Sequence, residues 1–248
     1  MFFEPLTKKS PCLADGGALT IRIGESILID IGSFISNTPK EEHKKITDIF
    51  LTHAHLDHIK DLAFFAEGIF SVFQDTINVW GTKETVKSIR KHIFNGEIWP
   101  DFIEIVVNGR PILQFKELEP KGEYRVKDFK IIPIPVNHTQ GAVGFLVSNN
   151  NQHVVVTGDT GPTDEIWEFV NMLKGDTTVF VETSFPDRLF DVANKSMHLT
   201  PSNLGSELKK IKRSDVKIFV YHIKHQYYDE IVSEIGRLND PRIAILEG

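Results

Sequence analysis

The stretch Thr52-His53-Ala54-His55-Leu56-Asp57-His58 constrains this chain more than any other. Four metal-competent side chains fall within it, directly after the strand-like run Ile46–Leu51. Neutral imidazole and carboxylate are good ligands for divalent transition metals. On an extended or turning segment His53 and His55 point the same way. Asp57 and His58 then face a neighbouring point a few ångströms off, so one segment serves two adjacent ions. The bland alternative is a solvated loop that happens to be rich in histidine.

Such a cluster needs partners from elsewhere in the chain, and three are offered in a repeated context. The apolar strand FKIIPIPV ends in Asn137-His138-Thr139, HVVVTG ends in Asp159, and VKIFVY ends in His222. Each ligand-type residue sits where a buried strand gives way to a loop, which is where functional groups collect on α/β sheets. Taken singly, each is an ordinary cap or core residue. Together they complete two ligand sets: His53, His55 and His138 for one ion, Asp57, His58 and His222 for the second, and Asp159 bridging.

The rest of the sequence reads as hairpins followed by strands alternating with helices. Ala18–Ile23 and Ser26–Ile31 flank a Gly24-Glu25 turn. Further strands are expected at Ile77–Trp80, Phe102–Val107, Asp128–Val136, Gly141–Val147, His153–Thr157, Thr178–Val181, Lys217–Tyr221 and Ile243–Leu246. Apolar residues at helical spacing predict helices over Thr82–Ile93, Thr163–Leu173, Thr200–Ile211 and Tyr227–Leu238. The pattern implies a mixed sheet system covered by helices. A chain of 248 residues could hold one or two domains, and with no linker-like tract to divide it a single domain over 1–248 is expected. The net charge of −6 gives no overall basic field to hold a long nucleic acid. Cys12 is the only cysteine, so no intrachain disulfide forms, which fits a reducing compartment. The N-terminal residues lack a signal-peptide pattern, and no apolar run approaches the roughly 20 residues a bilayer requires. A cytoplasmic protein with no membrane partner is therefore expected. A homodimer is admitted, but no residue pattern fixes it.

His-Ala-His-Leu-Asp-His matches the HxHxDH motif of the metallo-β-lactamase superfamily, and His138, Asp159 and His222 follow in that superfamily's order. The resemblance covers nearly the whole chain, including the early hairpin ending Ile29-Asp30-Ile31-Gly32. It implies an α/β (α+β) fold, a four-layer αββα sandwich, with two divalent metal ions at the edge of its sheets. Zinc, manganese and iron all suit the donors. Asp30 is then a structural residue rather than a ligand. Bound zinc lowers the pKa of its water, to about 7 in the best-known case, and supplies hydroxide at neutral pH.

Smaller features are similar to the class II cyclic-nucleotide phosphodiesterases: His-Leu-Asp-His-Ile at 55–59, the segment Ile93–Phe102, His222-Ile223-Lys224, and His198-Leu199-Thr200-Pro201. Two positions depart from that pattern, Asp61 where Gly or Ser is usual and His225 where Pro is common. The resemblance implies hydrolysis of a 3′,5′-cyclic nucleotide, cAMP or cGMP, to the 5′-monophosphate. Asp57, His198 and Glu182 are then the catalytic candidates. His198, opening a helix N-terminus, would protonate the leaving oxygen, and Glu182 would orient it. Trp99 could stack on a base and Lys224 could neutralise a phosphate. The alternatives are a ribonuclease Z-like tRNA 3′ endonuclease, a carbonyl-centre hydrolase such as a lactonase or thioesterase, and a metal-stabilised binding module.

Overall fold

The structure, a computed structural model, describes residues 2–6, 20–69 and 75–246. Cys12 and the first two residues of the Ala18–Ile23 run lie outside them. Contacts divide the chain into two compact units, one running up to Glu119 and the other from Pro120 onward.

In the first unit the described residues form strands β1 (Phe3–Pro5), β2 (Ile21–Ile23), β3 (Ile27–Ile29), β4 (Asp48–Phe50), β5 (Ile77–Thr82), β6 (Val106–Val107), β7 (Arg110–Pro111) and β8 (Leu113–Leu118). Its helices are α1 (Phe34–Asn37), α2 (Lys40–His43), α3 (Leu56–Ile69) and α4 (Lys83–His92). The main sheet runs β1-β2-β3-β4-β5-β8. The pairs from β1 to β3 are antiparallel and the rest parallel. Leu28, Ile49 and Val79 pack with Ile59, Leu62, Phe65, Ala66 and Ile89 of α3 and α4. Ile27, Ile29 and Phe50, of opposite parity along their strands, are fully buried as well. Both sheet faces are thus apolar, as parallel strands require.

In the second unit the strands are β9 (Tyr124–Val126), β10 (Phe129–Pro135), β11 (Val143–Asn149), β12 (Gln152–Val156), β13 (Asp176–Glu182), β14 (Lys217–Tyr221) and β15 (Ile243–Ile245). They form one sheet in the order β15-β14-β13-β12-β11-β10-β9. The helices are α5 (Glu165–Met172), α6 (Phe190–Ser196), α7 (Pro201–Leu208) and α8 (Tyr228–Gly236). The antiparallel β10-β11-β12 meander passes into parallel β12-β13-β14-β15 ladders. Trp167, Leu204, Leu208, Ile231 and Ile235 of α5, α7 and α8 pack on Val155, Val179, Ile218 and Val220.

Most predicted elements form at their expected places. Thr82 and Thr200 accept hydrogen bonds from Thr85 N and Asn203 N and cap α4 and α7, with Pro201 in the first turn of α7. The strand expected over Phe102–Val107 does not form. Asp101 accepts from Ile103 N at 3.1 Å through Oδ1 and from Glu104 N at 3.0 Å through its carbonyl, so the chain turns instead. Only Val106–Val107 pairs, with Arg110–Pro111, across Asn108 and Gly109, both at positive φ. Helix α3 is the larger difference. The motif is not extended throughout, because Leu56, Asp57 and His58 form the first turn of a 14-residue helix. Exposed Leu56 and Phe64 on its outer side blur the amphipathic contrast that would have announced it. Among the described residues no helix is long and apolar enough to cross a membrane.

Gly144 tests the packing beneath α5. A Cβ there would stand 2.7 Å from Ile166 Cδ1 and 2.7 Å from the Val156 carbonyl oxygen. Gly144→Ala is expected to destabilise the protein by about 1–3 kcal/mol, read as a lower urea midpoint at unchanged m-value. An unchanged midpoint would refute this account of the packing.

Candidate metal centre

In the first unit the ligand-type residues are positioned by the end of β4, a fully buried strand hydrogen-bonded on both sides. Leu51 N donates to the Trp80 carbonyl, and the chain then leaves the sheet. Thr52 N and Thr52 Oγ1 both donate to Asp30, at 2.8 Å each, and His58 Nδ1 donates to the same carboxylate at 2.7 Å. Asp30 itself is held at φ 56 after β3. Because the Thr52 hydroxyl proton goes to Asp30, its oxygen accepts from His53 Nδ1 at 3.0 Å. Both histidines are thereby protonated at Nδ1 and keep the Nε2 lone pair for a metal. His53 and His58 are essentially fully buried, with ring centroids 4.2 Å apart. His55 stands 4.5 Å from His53, ring to ring. His53 with His55, and Asp57 with His58, each bring ligand atoms within 4.8 Å of one another.

In the second unit His138 follows β10, Asp159 follows β12 and His222 follows β14. All three are buried. His138 Nδ1 donates to the Met197 carbonyl at 3.0 Å, and His222 Nδ1 to Ser184 Oγ at 2.8 Å. Their Nε2 atoms face Asp159, at 3.9 Å from Oδ2 and 3.5 Å from Oδ1 respectively. These separations exceed a hydrogen bond, which closes by roughly 3.2 Å. They approach the spacing of two donors sharing a tetrahedral ion, about 3.4 Å for bonds near 2.1 Å. Four imidazoles, each anchored at Nδ1 by an oxygen acceptor, match how proteins orient metal-binding histidines. These His and Asp residues are positioned for divalent metal.

Glu182 ends β13 with no exposed surface. Its Oε1 accepts from His198 Nδ1 at 2.7 Å, Thr160 N at 3.1 Å and Leu199 N at 3.3 Å, while Oε2 accepts from Ser184 Oγ at 3.0 Å. Burial opposes charge on His198 and is the largest influence. The hydrogen bond and charge of Glu182, helped by Asp159 and opposed by Lys224, outweigh it and raise the His198 pKa above its ordinary value. The imidazolium, the form that can give up a proton, is favoured. Glu182, His198 and His222 also present ligand atoms within 4.8 Å, but the facing atoms of the first two already bond each other. His198 does not itself open the helix. Its N–H closes the end of α6 on the Ala193 carbonyl, and α7 begins after Thr200.

Trp99 is half-buried. It lies against the first unit's core and edge-on to Phe64, ring centroids 5.0 Å apart. Lys224 is half-buried and acts on His198 through its charge. Asp61, one of the departures from the family pattern, accepts from Ile35 N at 2.8 Å and ties α3 to α1. The sequence reading passed over Thr52 and Ser184, the hydroxyls that anchor His53 and His222. The available signal was a hydroxyl beside each candidate ligand or strand-end carboxylate, too common a pattern to single them out.

The family model described as a beta-lactamase superfamily domain matches residues 28–223, and the chain belongs to that family, with the metallo-β-lactamase fold. A 3′,5′-cyclic-nucleotide phosphodiesterase of Aliivibrio fischeri is 28% identical over 81% of this chain. The 3′,5′-cyclic-nucleotide phosphodiesterase 1 of Saccharomyces cerevisiae is 27% identical over 86% of it. The chain spans 64% of the length of each of these relatives. The crystal structure of unliganded yeast PDE1 shares the fold at a TM-score of 0.78 and 19% identity, covering 99% of this chain and 97% of that one. Human tRNase Z, short form, does so at 0.66 and 17%, covering 91% and 94%.

Asp30→Ala would leave the buried Thr52 N–H and His58 Nδ1–H without their acceptor. The metal-free protein is expected to lose about 2–6 kcal/mol of stability, at about 1–3 kcal/mol per stranded donor, in chemical unfolding. A loss under about 1 kcal/mol would show that the carboxylate is not the anchor.

Proposed function

We propose that this chain is a dinuclear metal-dependent phosphodiesterase that hydrolyses 3′,5′-cyclic nucleotides to 5′-monophosphates. In this reading His53, His55 and His138 serve one ion, Asp57, His58 and His222 a second, and Asp159 both, within one domain. Family membership across residues 28–223, which contain all seven, supports that assignment. The similarity to relatives named for the cyclic-nucleotide reaction supports the substrate class. The donors are imidazole and carboxylate without thiolate, which suits zinc and admits manganese or iron.

The observation that carries the hydrolytic reading is the Glu182–His198 pair beside His138 and His222. The His198 ring centroid lies 5.0 Å from that of His138 and 5.7 Å from that of His222. Divalent ions of this kind, when bound, lower the pKa of water and draw negative charge from phosphoryl oxygens. In the reaction a water oxygen gives up a proton to solvent and bonds to phosphorus, the bond from phosphorus to the 3′-oxygen breaks, and that oxygen takes a proton from His198, which solvent then reprotonates, so protons balance over the cycle. His198 supplies the proton from Nε2 while Glu182 holds Nδ1, fixing the ring and favouring the charged form. Glu182 keeps this role because it bonds two backbone N–H groups besides and cannot swing away. Lys224, whose charge reaches His198, would attract the phosphate.

The test is a substrate panel with elemental analysis. Metal-loaded protein is expected to release 5′-AMP from cAMP or 5′-GMP from cGMP. Brisk cleavage of precursor tRNA or of a lactone panel with neither cyclic nucleotide turned over would overturn the substrate class. His198→Ala should lower kcat about a hundred- to ten-thousand-fold with metal content intact; loss of metal would make His198 a ligand instead. Asp159→Ala should abolish turnover in a folded protein, and unchanged turnover would break the ligand assignment.

A further inference from the structure

Ser184 takes no part in the chemistry above, yet its hydroxyl lies between two groups that do. The residue is fully buried, and its N–H donates to the Leu199 carbonyl at 3.1 Å, so the side chain starts from a fixed point. Four atoms crowd its Oγ. Glu182 Oε2 lies at 3.0 Å, His222 Nδ1 at 2.8 Å, the His222 carbonyl at 3.2 Å and His198 Nδ1 at 3.3 Å. A hydroxyl carries one proton, and the nearest of its charged or carbonyl acceptors is the Glu182 carboxylate, which makes the stronger bond. His198 Nδ1 has its own proton on Glu182 Oε1. With its proton donated, Ser184 Oγ can only accept from His222 Nδ1, so that nitrogen is protonated and Nε2 carries the lone pair.

We infer that Ser184 is a positioning residue that fixes the tautomer and ring orientation of His222 and ties this histidine, through Glu182, to His198. This rests on the reading of His222 as a metal ligand. A second observation agrees with it. His222 is held at φ 61, in the left-handed region that only a few per cent of residues other than glycine adopt, so its backbone depends on support from its surroundings. Ser184 Oγ holds the ring of that residue at 2.8 Å. The arrangement places the proton donor and one metal ligand on a single buried carboxylate, with the serine hydroxyl as the link.

The experiment compares the unaltered protein with Ser184→Ala, Ser184→Thr and His222→Asn, the last because asparagine tolerates the left-handed backbone. Each is loaded with zinc and dialysed against graded chelator. Zinc per chain is then counted, with folding followed by circular dichroism. Ser184→Ala is expected to weaken zinc retention about 10–100-fold, Ser184→Thr to recover most of it through its hydroxyl, and His222→Asn to lose as much as Ser184→Ala or more. If Ser184→Ala retains zinc normally while His222→Asn does not, the role of Ser184 falls and the ligand assignment survives. If His222→Asn also retains zinc normally, the ligand assignment falls first. Equal weakening in folded Ser184→Ala and Ser184→Thr would overturn the hydroxyl's part. Nitrogen-15 NMR of the imidazoles in the unaltered zinc-loaded protein should find His222 protonated at Nδ1; protonation at Nε2 overturns the inference whatever the variants do.

Discussion

A carboxylate removed from water must be given hydrogen bonds by its neighbours, or its burial costs several kcal/mol. Asp30 and Glu182 are both in that position, and each organises the ligand-type residues of its own unit. Asp30 gathers the Thr52 amide, the Thr52 hydroxyl and His58. Glu182 gathers His198, Ser184 and two amides. In both cases a hydroxyl stands between carboxylate and imidazole, passing its proton to the first and accepting one from the second. Proton positions on the histidines therefore follow from where two negative charges are buried. The metal-directed nitrogen is the one the carboxylate does not reach.

That logic also accounts for one departure from the family pattern. Asp61 adds a third carboxylate close to the motif, but it accepts from Ile35 N and belongs to the joint between α1 and α3. Its charge serves the start of a short helix, where a negative group is favoured.

Much of this was legible in the sequence because period and capping residues speak locally. Thr82 and Thr200 announced α4 and α7, and the apolar runs over β10, β12 and β14 announced buried strands with His138, Asp159 and His222 just beyond their ends. Residues 102–107 misled because Ile103, Ile105, Val106 and Val107 have strand propensity, while the deciding interaction is the Asp101 side chain bonding the Ile103 amide. Helix α3 was hidden by Leu56 and Phe64 on its exposed side. The anchors of the histidines were the least legible part. Nothing near Met197 in the chain indicates that its carbonyl receives His138, 59 positions away. The pairing of Ser184 with His222 spans 38 positions and exists only once β13 and β14 lie side by side.

The parallel ladders of the second unit carry a consequence for how this chain can change in length. Val156, Phe180 and Phe219 stand in one row across β12, β13 and β14, and Glu182 is level with Tyr221. Asp159, Glu182 and His222 therefore leave the sheet at neighbouring points. A residue inserted in any one of these strands would advance its terminal group by about 3.3 Å and turn it to the opposite face. At the other ends of β12 and β14, where Asn151, Gln152, Ser214 and Asp215 are exposed, a change of loop length leaves the register of these strands intact. The spacing within the strands is thus as much a part of the centre as the groups at their tips.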